Sequence, residues 1–205
     1  MSDASTADAD LLAAWRGGDR KAGSALYERY FPLIYRFFRF KVDDDAIVDL
    51  VQSTFIGCVE GVHALRDEAS YRSYALAVAR HKLADFYRAR GCFEGVALDE
   101  VSVAQLDPSP SSLLRRGRAQ RVLLAAIRSL PLELQILLEL FYWEEIPSPE
   151  LATILAIPEG TVRSRLRRAR ELLRQHAHAA QLPAPADDAE DSFERWAKEM
   201  KAALD

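Results

Sequence analysis

Residues 147–174 read PSPELATILAIPEGTVRSRLRRARELLR, and how this stretch is read decides the fold. It divides into two helices at a tight turn. Ser148 or Pro149 opens the first, because a proline's missing N–H would be unpaired in an initial turn anyway. Leu151, Ile154 and Leu155 give it an apolar stripe at i, i+3, i+4. Ile157-Pro158 ends it, since the residue before a proline is pushed out of the α region. A second helix starts at Gly160 or Thr161, with Glu159 near its positive end. Val162, Leu166, Ala169 and Leu173 form its buried stripe. Arg163, Arg165, Arg167, Arg168, Arg170 and Arg174 cover much of the rest, against Glu171 alone.

An arginine-rich helical face also serves as plain solvated surface, and paired helices also occur in ordinary bundles. The packed first helix, the Ile-Pro break and the TVRSRL start together favour a helix-turn-helix. Its second helix would lie in the major groove, with cations for phosphates and base edges.

The whole chain sets the frame. At 205 residues, 49% of them apolar, it holds enough core for one or two compact domains. No apolar run approaches the roughly 20 residues of a membrane span. The acidic start MSDASTADAD lacks a basic-then-apolar leader. A cytoplasmic protein with no membrane insertion is expected. Cys58 and Cys92 have no metal-ligand spacing. Cys58 reads as a small buried hydrophobe, and Cys92 falls in a connector, where a thiol sensor is the alternative. The net charge of −4 is unevenly spread: residues 1–90 are neutral, 91–112 carry four acids and no Lys or Arg, 113–180 have eleven Lys/Arg against seven Asp/Glu, and 181–205 have three against seven. Local basic patches therefore matter more than the overall balance.

From the N-terminus, a short helix over 9–16 places Leu11, Leu12 and Trp15 on one face. Gly17-Gly18-Asp19 stops it and caps the next, which starts near Arg20. Most of Leu26, Tyr30, Phe31, Ile34, Tyr35 and Phe38 read as core at helical spacing, and Pro32 marks a kink or break. Asp43-Asp44-Asp45 resembles a metal or acid–base cluster, but no second cluster or paired histidine accompanies it. Helix capping explains it instead. That third helix ends near His63, with Ile47, Leu50, Val51, Phe55 and Val59 as its apolar stripe and Asp49, Gln52, Ser53 and Glu60 as polar surface.

After the loop ALRDEAS, Ser70 caps a fourth helix. Leu76, Ala77, Leu83 and Phe86 point inward. Tyr71, Arg72, Tyr74, Arg80, His81, Lys82, Tyr87, Arg88 and Arg90 crowd the remainder. Rings interleaved with cations suit single-stranded nucleic acid, although by themselves Tyr71 and Tyr74 are slightly better explained as simple core cover. Residues 91–112 read as an acidic, flexible linker ending in Pro and Ser. A helix over 113–129, a Leu130-Pro131 break, a strongly apolar core helix over 132–142 and the helix-turn-helix follow. The tail begins with a Pro/Ala/Asp spacer and ends in SFERWAKEMKAAL, whose Phe193, Trp196, Met200 and Leu204 share one side. A lone helix of this length is marginal in water, so it should dock on something.

The expected architecture is all-α: two small helical domains over 9–90 and 113–178, a flexible linker over 91–112, and a C-terminal helical extension over 181–205. Two motifs then carry a family resemblance. Asp49-Leu50-Val51-Gln52-Ser53-Thr54-Phe55 resembles a D-x-V-Q-x-T-F segment. Leu130-Pro131 with its following helix, and Ile157-Pro158-Glu159-Gly160-Thr161-Val162-Arg163-Ser164-Arg165-Leu166, resemble L-P-x-x-x-R/Q and I-P-x-G-T-V-x-S-R-L. In this order and spacing they are similar to the extracytoplasmic-function group of bacterial RNA polymerase sigma factors, over roughly residues 9–178.

The resemblance implies a protein that binds core RNA polymerase and directs initiation at promoter DNA, with no catalytic residues, metal or cofactor. Asp49, Gln52 and Phe55 would contact polymerase. The loop 65–70 and the helix after it would melt and hold the −10 element, with Arg72, Tyr74, Arg80, Lys82 and Arg88 near the non-template strand. Arg163, Ser164, Arg165, Arg167 and Arg168 would face the −35 element. The linker would thread through the polymerase, and an anti-sigma factor is an expected partner.

The chain departs from the family pattern at Tyr74 (often Trp), at His81 (often Asn), at Ser148-Pro149 (usually aromatic-acidic), and in the extension 181–205. A stand-alone helix-turn-helix regulator is the alternative, disfavoured because it has no need of the D-x-V-Q surface. The tail is expected either to fold back on both domains and regulate access, or to be a loose appendage.

Overall fold

A computed structural model describes residues 2–65, 70–91, 101–106, 117–182, 184–185 and 190–204. Cys92 and most of the linker lie outside them. Among the described residues the regular structure is helical, with one isolated bridge between Ser102 and Pro131.

The first half is built from α1 (Ser2–Arg16), α2 (Arg20–Phe38), α3 (Asp44–Gly61), a 3-10 turn over Val62–Ala64, and α4 (Tyr71–Ala89). Asp19 caps α2 as expected, its side chain accepting from the Lys21 amide at 2.8 Å. There is no break at Pro32; α2 runs through it. Pro32 lies on the exposed face, where water can satisfy the freed carbonyl. Asp43 stands at the N-cap of α3 with Asp44 and Asp45 in the first turn, so these carboxylates face the positive helix end. Arg16 at the end of α1 donates to the Val62 carbonyl at 3.0 Å and to that of Leu65, which ties α1 to the end of α3.

The second half follows a short helix, α5 (Val103–Leu106). This part of the expected flexible linker is packed: Val103 and Leu106 are buried, and the Leu132 amide donates to the Val101 carbonyl at 2.9 Å. Acidity flagged the segment as a linker, but its apolar Val101, Val103 and Leu106 find a core to enter. Then come α6 (Arg118–Arg128), α7 (Leu132–Tyr142), α8 (Ser148–Leu155) and α9 (Glu159–Ala179). All of α7 except Phe141 is buried, as its near-continuous apolar sequence requires. The turn between α8 and α9 hinges on Ala156, held at φ 54° with its amide bonded to the Thr153 carbonyl at 3.3 Å. Pro158 then stands at the N-cap of α9, which starts at Glu159, a residue before the expected start.

The last helix, α10 (Glu190–Leu204), buries Phe193, Trp196, Ala197, Met200 and Leu204. It packs on α6 and α7. Trp143 Nε1 donates to the Ala197 carbonyl at 2.9 Å, and the Tyr142 and Phe193 rings meet at 5.1 Å. The buried apolar side chains form one continuous cluster, from Leu12 in α1 to Leu204 in α10.

Candidate nucleic-acid interface

The α9 stripe is as the sequence predicts: Val162, Leu166, Ala169 and Leu173 are all buried. Burying that stripe turns Arg163, Ser164, Arg167 and Arg168 outward, where all are exposed; Arg165 is half-buried. Arg163 pairs with Glu159 one turn before it, and Ser164 donates to the Thr161 carbonyl at 3.0 Å. Arg170 turns inward, 3.5 Å from the Tyr142 hydroxyl and 3.4 Å from Glu190. The exposed cations thus form one face along the N-terminal half of α9, the end that enters a major groove in this motif.

The candidate residues of α4 are divided between two directions. Tyr74 and Lys82 lie toward α3. The Tyr74 hydroxyl donates to the Gly57 carbonyl at 3.3 Å, and burial raises its pKa. A methyl group on Gly61 would come within 2.2 Å of that hydroxyl, so the glycine makes room for it. Lys82 lines a groove with Asp49, Ser53 and Asp85. Arg72 and Arg80 point instead to the second half. Arg72 grips Glu150 of α8 with two parallel bonds, Nε to Oε1 at 2.8 Å and a shorter Nη2 to Oε2, and Ser73 adds a third at 2.8 Å. Arg80 donates from Nε to Glu133 of α7 at 2.9 Å. Arg88 is exposed and pairs with Asp85.

Two of the tyrosines grouped with these cations are core. Tyr71 and Tyr87 are fully enclosed, and the Tyr87 hydroxyl donates to the Lys41 carbonyl. Ala77 and Phe86, expected to point inward, are only half-buried. Of the loop 65–70, residues 66–69 lie outside the described residues.

On α3, Asp49 and Gln52 are exposed, but Phe55 is buried against Tyr27 at 4.5 Å between ring centroids and does not reach their face. Val59, assigned to the apolar stripe, is instead 56% exposed, with Val48 at 54% and Ile56 at 58%. At roughly 100° per residue, Cys58 falls on the buried stripe, while Val48, Val59, Gln52, Ile56 and Asp49 share one outward arc. The helical wheel therefore contained this mixed apolar and polar face, which reading Val59 as core had hidden.

Comparisons with known proteins agree with this order of elements. Residues 26–92 match sigma-70 region 2, and residues 120–173 match sigma-70 region 4. The chain is 26% identical over 175 residues to the ECF RNA polymerase sigma-E factor of Haemophilus influenzae, covering 81% of this chain and 93% of that one. It is 27% identical over 181 residues to that of Escherichia coli K12, covering 81% and 92%. Among solved structures it is similar to CnrH in complex with the cytosolic domain of CnrY, with TM-score 0.58, 21% identity and coverage of 84% and 98%. It is also similar to the sigma factor RpoE in complex with the anti-sigma factor NepR from Bartonella quintana, with TM-score 0.56, 17% identity and coverage of 75% and 97%. Both sigma regions, in this order and on these helices, place the chain in the sigma-70 family, where it belongs to the extracytoplasmic-function group of RNA polymerase sigma factors and directs transcription initiation.

Proposed function

We propose a division of this sigma factor's work among three surfaces. The outward face of α3, with Asp49 and Gln52 set among Val48, Ile56 and Val59, docks on core polymerase. The α4 cations Arg72, Arg80, Lys82 and Arg88, with Tyr74, hold the non-template strand of the −10 element. The outward face of α9, with Arg163, Ser164, Arg167 and Arg168 exposed and Arg165 half-buried beside them, anchors on the −35 duplex. Residues 9–90 and 113–178 are the two working units, 91–112 joins them, and 181–205 is an accessory segment.

The observation that carries this reading is α9 itself. Its apolar stripe is buried to the last residue, and Arg163, Arg167 and Arg168 project from the opposite side. Docking and DNA capture need no chemistry of the chain's own, so it acts as a non-catalytic subunit. Among the described residues no helix is long and apolar enough to cross a membrane, in keeping with action in the cytoplasm. The complexes of CnrH and RpoE with their partners support an anti-sigma factor as a further partner here.

Run-off transcription with core polymerase tests the scheme. Wild-type protein should give a promoter-dependent transcript. Asp49→Ala with Gln52→Ala should weaken core binding, and Arg167→Ala with Arg168→Ala should weaken promoter binding while core binding stays intact. Normal core binding and transcript yield from the α3 double variant would remove α3 from the polymerase surface.

A further inference from the structure

Gly57 and Gly61 stand four residues apart on the side of α3 that faces α4. A glycine inside a helix is unfavourable relative to alanine, so each calls for a reason, and each finds it in α4. A methyl group on Gly57 would lie 3.0 Å from the Val78 side chain and 3.3 Å from Lys82 Cε. One on Gly61 would overlap the Tyr74 hydroxyl. Tyr74, Val78 and Lys82 recur at i, i+4 and i+8, so one edge of α4 lies along the two glycines. At Gly57 the contact is close packing between helices. At Gly61 the space is taken by a polar group with a bond to make.

The Tyr74 hydroxyl donates to the Gly57 carbonyl at 3.3 Å and stands 3.5 Å from that of Cys58. Carbonyls in the last turn of a helix lack intrahelical partners, and Cys58 lies in the last turn of α3. The tyrosine tip therefore supplies what the end of α3 lacks. The ring is also backed from inside. Its centroid is 6.4 Å from that of Tyr71, which is enclosed against Tyr30 and Trp15 at 5.3 and 6.0 Å. Tyr74 is the half-buried outer member of this row.

Among aromatic side chains, tyrosine carries a donor hydroxyl at the far end of its six-membered ring. That gives the departure from the family's frequent tryptophan a physical meaning. A free ring must be ordered when a base stacks on it, whereas a ring already fixed at its tip avoids that loss.

We propose that Tyr74 is a preset stacking platform for a base of the −10 strand and that Gly61 is its positioning residue. The glycine admits the hydroxyl to the end of α3, the hydroxyl locks the ring, and the locked ring meets the unpaired base without first being ordered. This rests on the assignment of Tyr74 to the strand.

The test uses the full chain with core polymerase on a promoter that gives the run-off transcript. Permanganate oxidation of unpaired thymines reads opening, and binding to polymerase and to the −35 duplex is followed beside it. Gly61→Ala should lower opening about tenfold, because the methyl group drives the ring off its seat. Tyr74→Phe keeps the ring but loses the fastening, and should lower opening about threefold. Combining the two should restore opening to the Tyr74→Phe level. Without the hydroxyl the nearest ring atom is Cζ, 3.4 Å from the added methyl group, an ordinary contact. Polymerase and −35 binding should be unchanged throughout. A second substitution that relieves the first is not what general damage to packing produces.

Tyr74→Ala with normal opening would remove Tyr74 from the strand, and the proposal with it. Reduced opening in Tyr74→Ala but normal opening in Gly61→Ala, or a double variant no better than Gly61→Ala, would leave the strand assignment standing and overturn the role of Gly61. A Gly61→Ala chain that loses polymerase binding in proportion to opening would overturn it too, because the glycine would then serve the packing of α3 as a whole.

Discussion

Lys41, in the turn just after α2, and Glu139 in the middle of α7 form an ion pair between the two halves, with side chains 0% and 6% exposed. Lys41 also donates to the Phe37 carbonyl at 2.7 Å, and Gln135 donates to Glu139 at 2.7 Å, so the remaining hydrogen-bonding capacity is largely used. Burial raises the Glu139 carboxyl, and Lys41 opposes that shift. Desolvation and attraction nearly cancel in such a pair, but removing one partner leaves a buried charge alone at a cost of about 3–5 kcal/mol. Lys41→Met should destabilise the chain by that amount in urea unfolding. Lys41→Met with Glu139→Leu should recover most of it. A single substitution costing under about 1 kcal/mol would mean that the pair is not buried in solution.

The docking of α10 gives a second expectation. Its five buried residues recur at i, i+3, i+4, i+7 and i+11, one continuous stripe. A 15-residue helix is marginal by itself, so its order depends on that stripe. Amide hydrogen exchange should show protection through the middle of α10. Met200→Asp, which places a charge against Leu123 and Trp196, should abolish that protection while α7 stays protected. Fast exchange of α10 in the wild type would show that the extension does not dock.

These two contacts also mark how much the sequence disclosed. The α9 stripe and the Ile-Pro turn were legible because helical periodicity and proline stereochemistry act within a few residues. The apolar side of α10 was legible for the same reason, but its partner was not. Glu150 and Glu133 gave no signal, because pairing with Arg72 and Arg80 spans 78 and 53 positions and depends on how the halves meet. Tyr71 and Tyr87 misled because a tyrosine carries both a large apolar ring and a polar tip. Here the rings are enclosed and the tips satisfied internally. Val59 misled because its neighbour Cys58, one step around the helix, took the core position.

The Glu150 carboxyl gives a pH expectation with a definite sign. Burial alone would raise it, but bonds from Arg72 and Ser73 outweigh burial and hold it below its ordinary value of 4.5. A depressed carboxyl stabilises the folded chain above its unfolded-state pKa and loses that contribution as pH falls through the folded-state value. Glu139, raised by burial, works in the opposite direction, so the informative quantity is a difference. Between about pH 6 and pH 3 the wild type should lose more stability than Glu150→Gln, read as a steeper fall in the urea midpoint. Parallel curves would mean that Glu150 is not paired.

Burial pushes the Cys58 thiol up to about 12, outweighing the lowering by its hydrogen bond with Tyr71. A thiol so placed holds almost no thiolate near neutral pH and reacts slowly. In a Cys92→Ser chain, Cys58 should resist Ellman's reagent at pH 8 and react promptly in 6 M guanidinium chloride. Rapid reaction in the native chain would contradict its enclosure beneath α4.

The α9 face makes the last prediction, and Arg170 supplies its internal control. Arg167 and Arg168 are exposed on the outward side, whereas Arg170 turns in toward Tyr142 and Glu190. Each phosphate contact releases condensed counterions, so losing one flattens the dependence of log affinity on log salt by about 0.9. Arg167→Ala with Arg168→Ala should weaken promoter-duplex binding and reduce that slope by up to ~1.8. Arg170→Ala should leave the slope unchanged and lower stability instead, because it removes packing between α9 and α10. The contrast matters more than either value. If all three arginines met phosphate, the Arg170 slope would fall as well, and α9 would have to lie on the duplex by a different face from the one its buried stripe dictates.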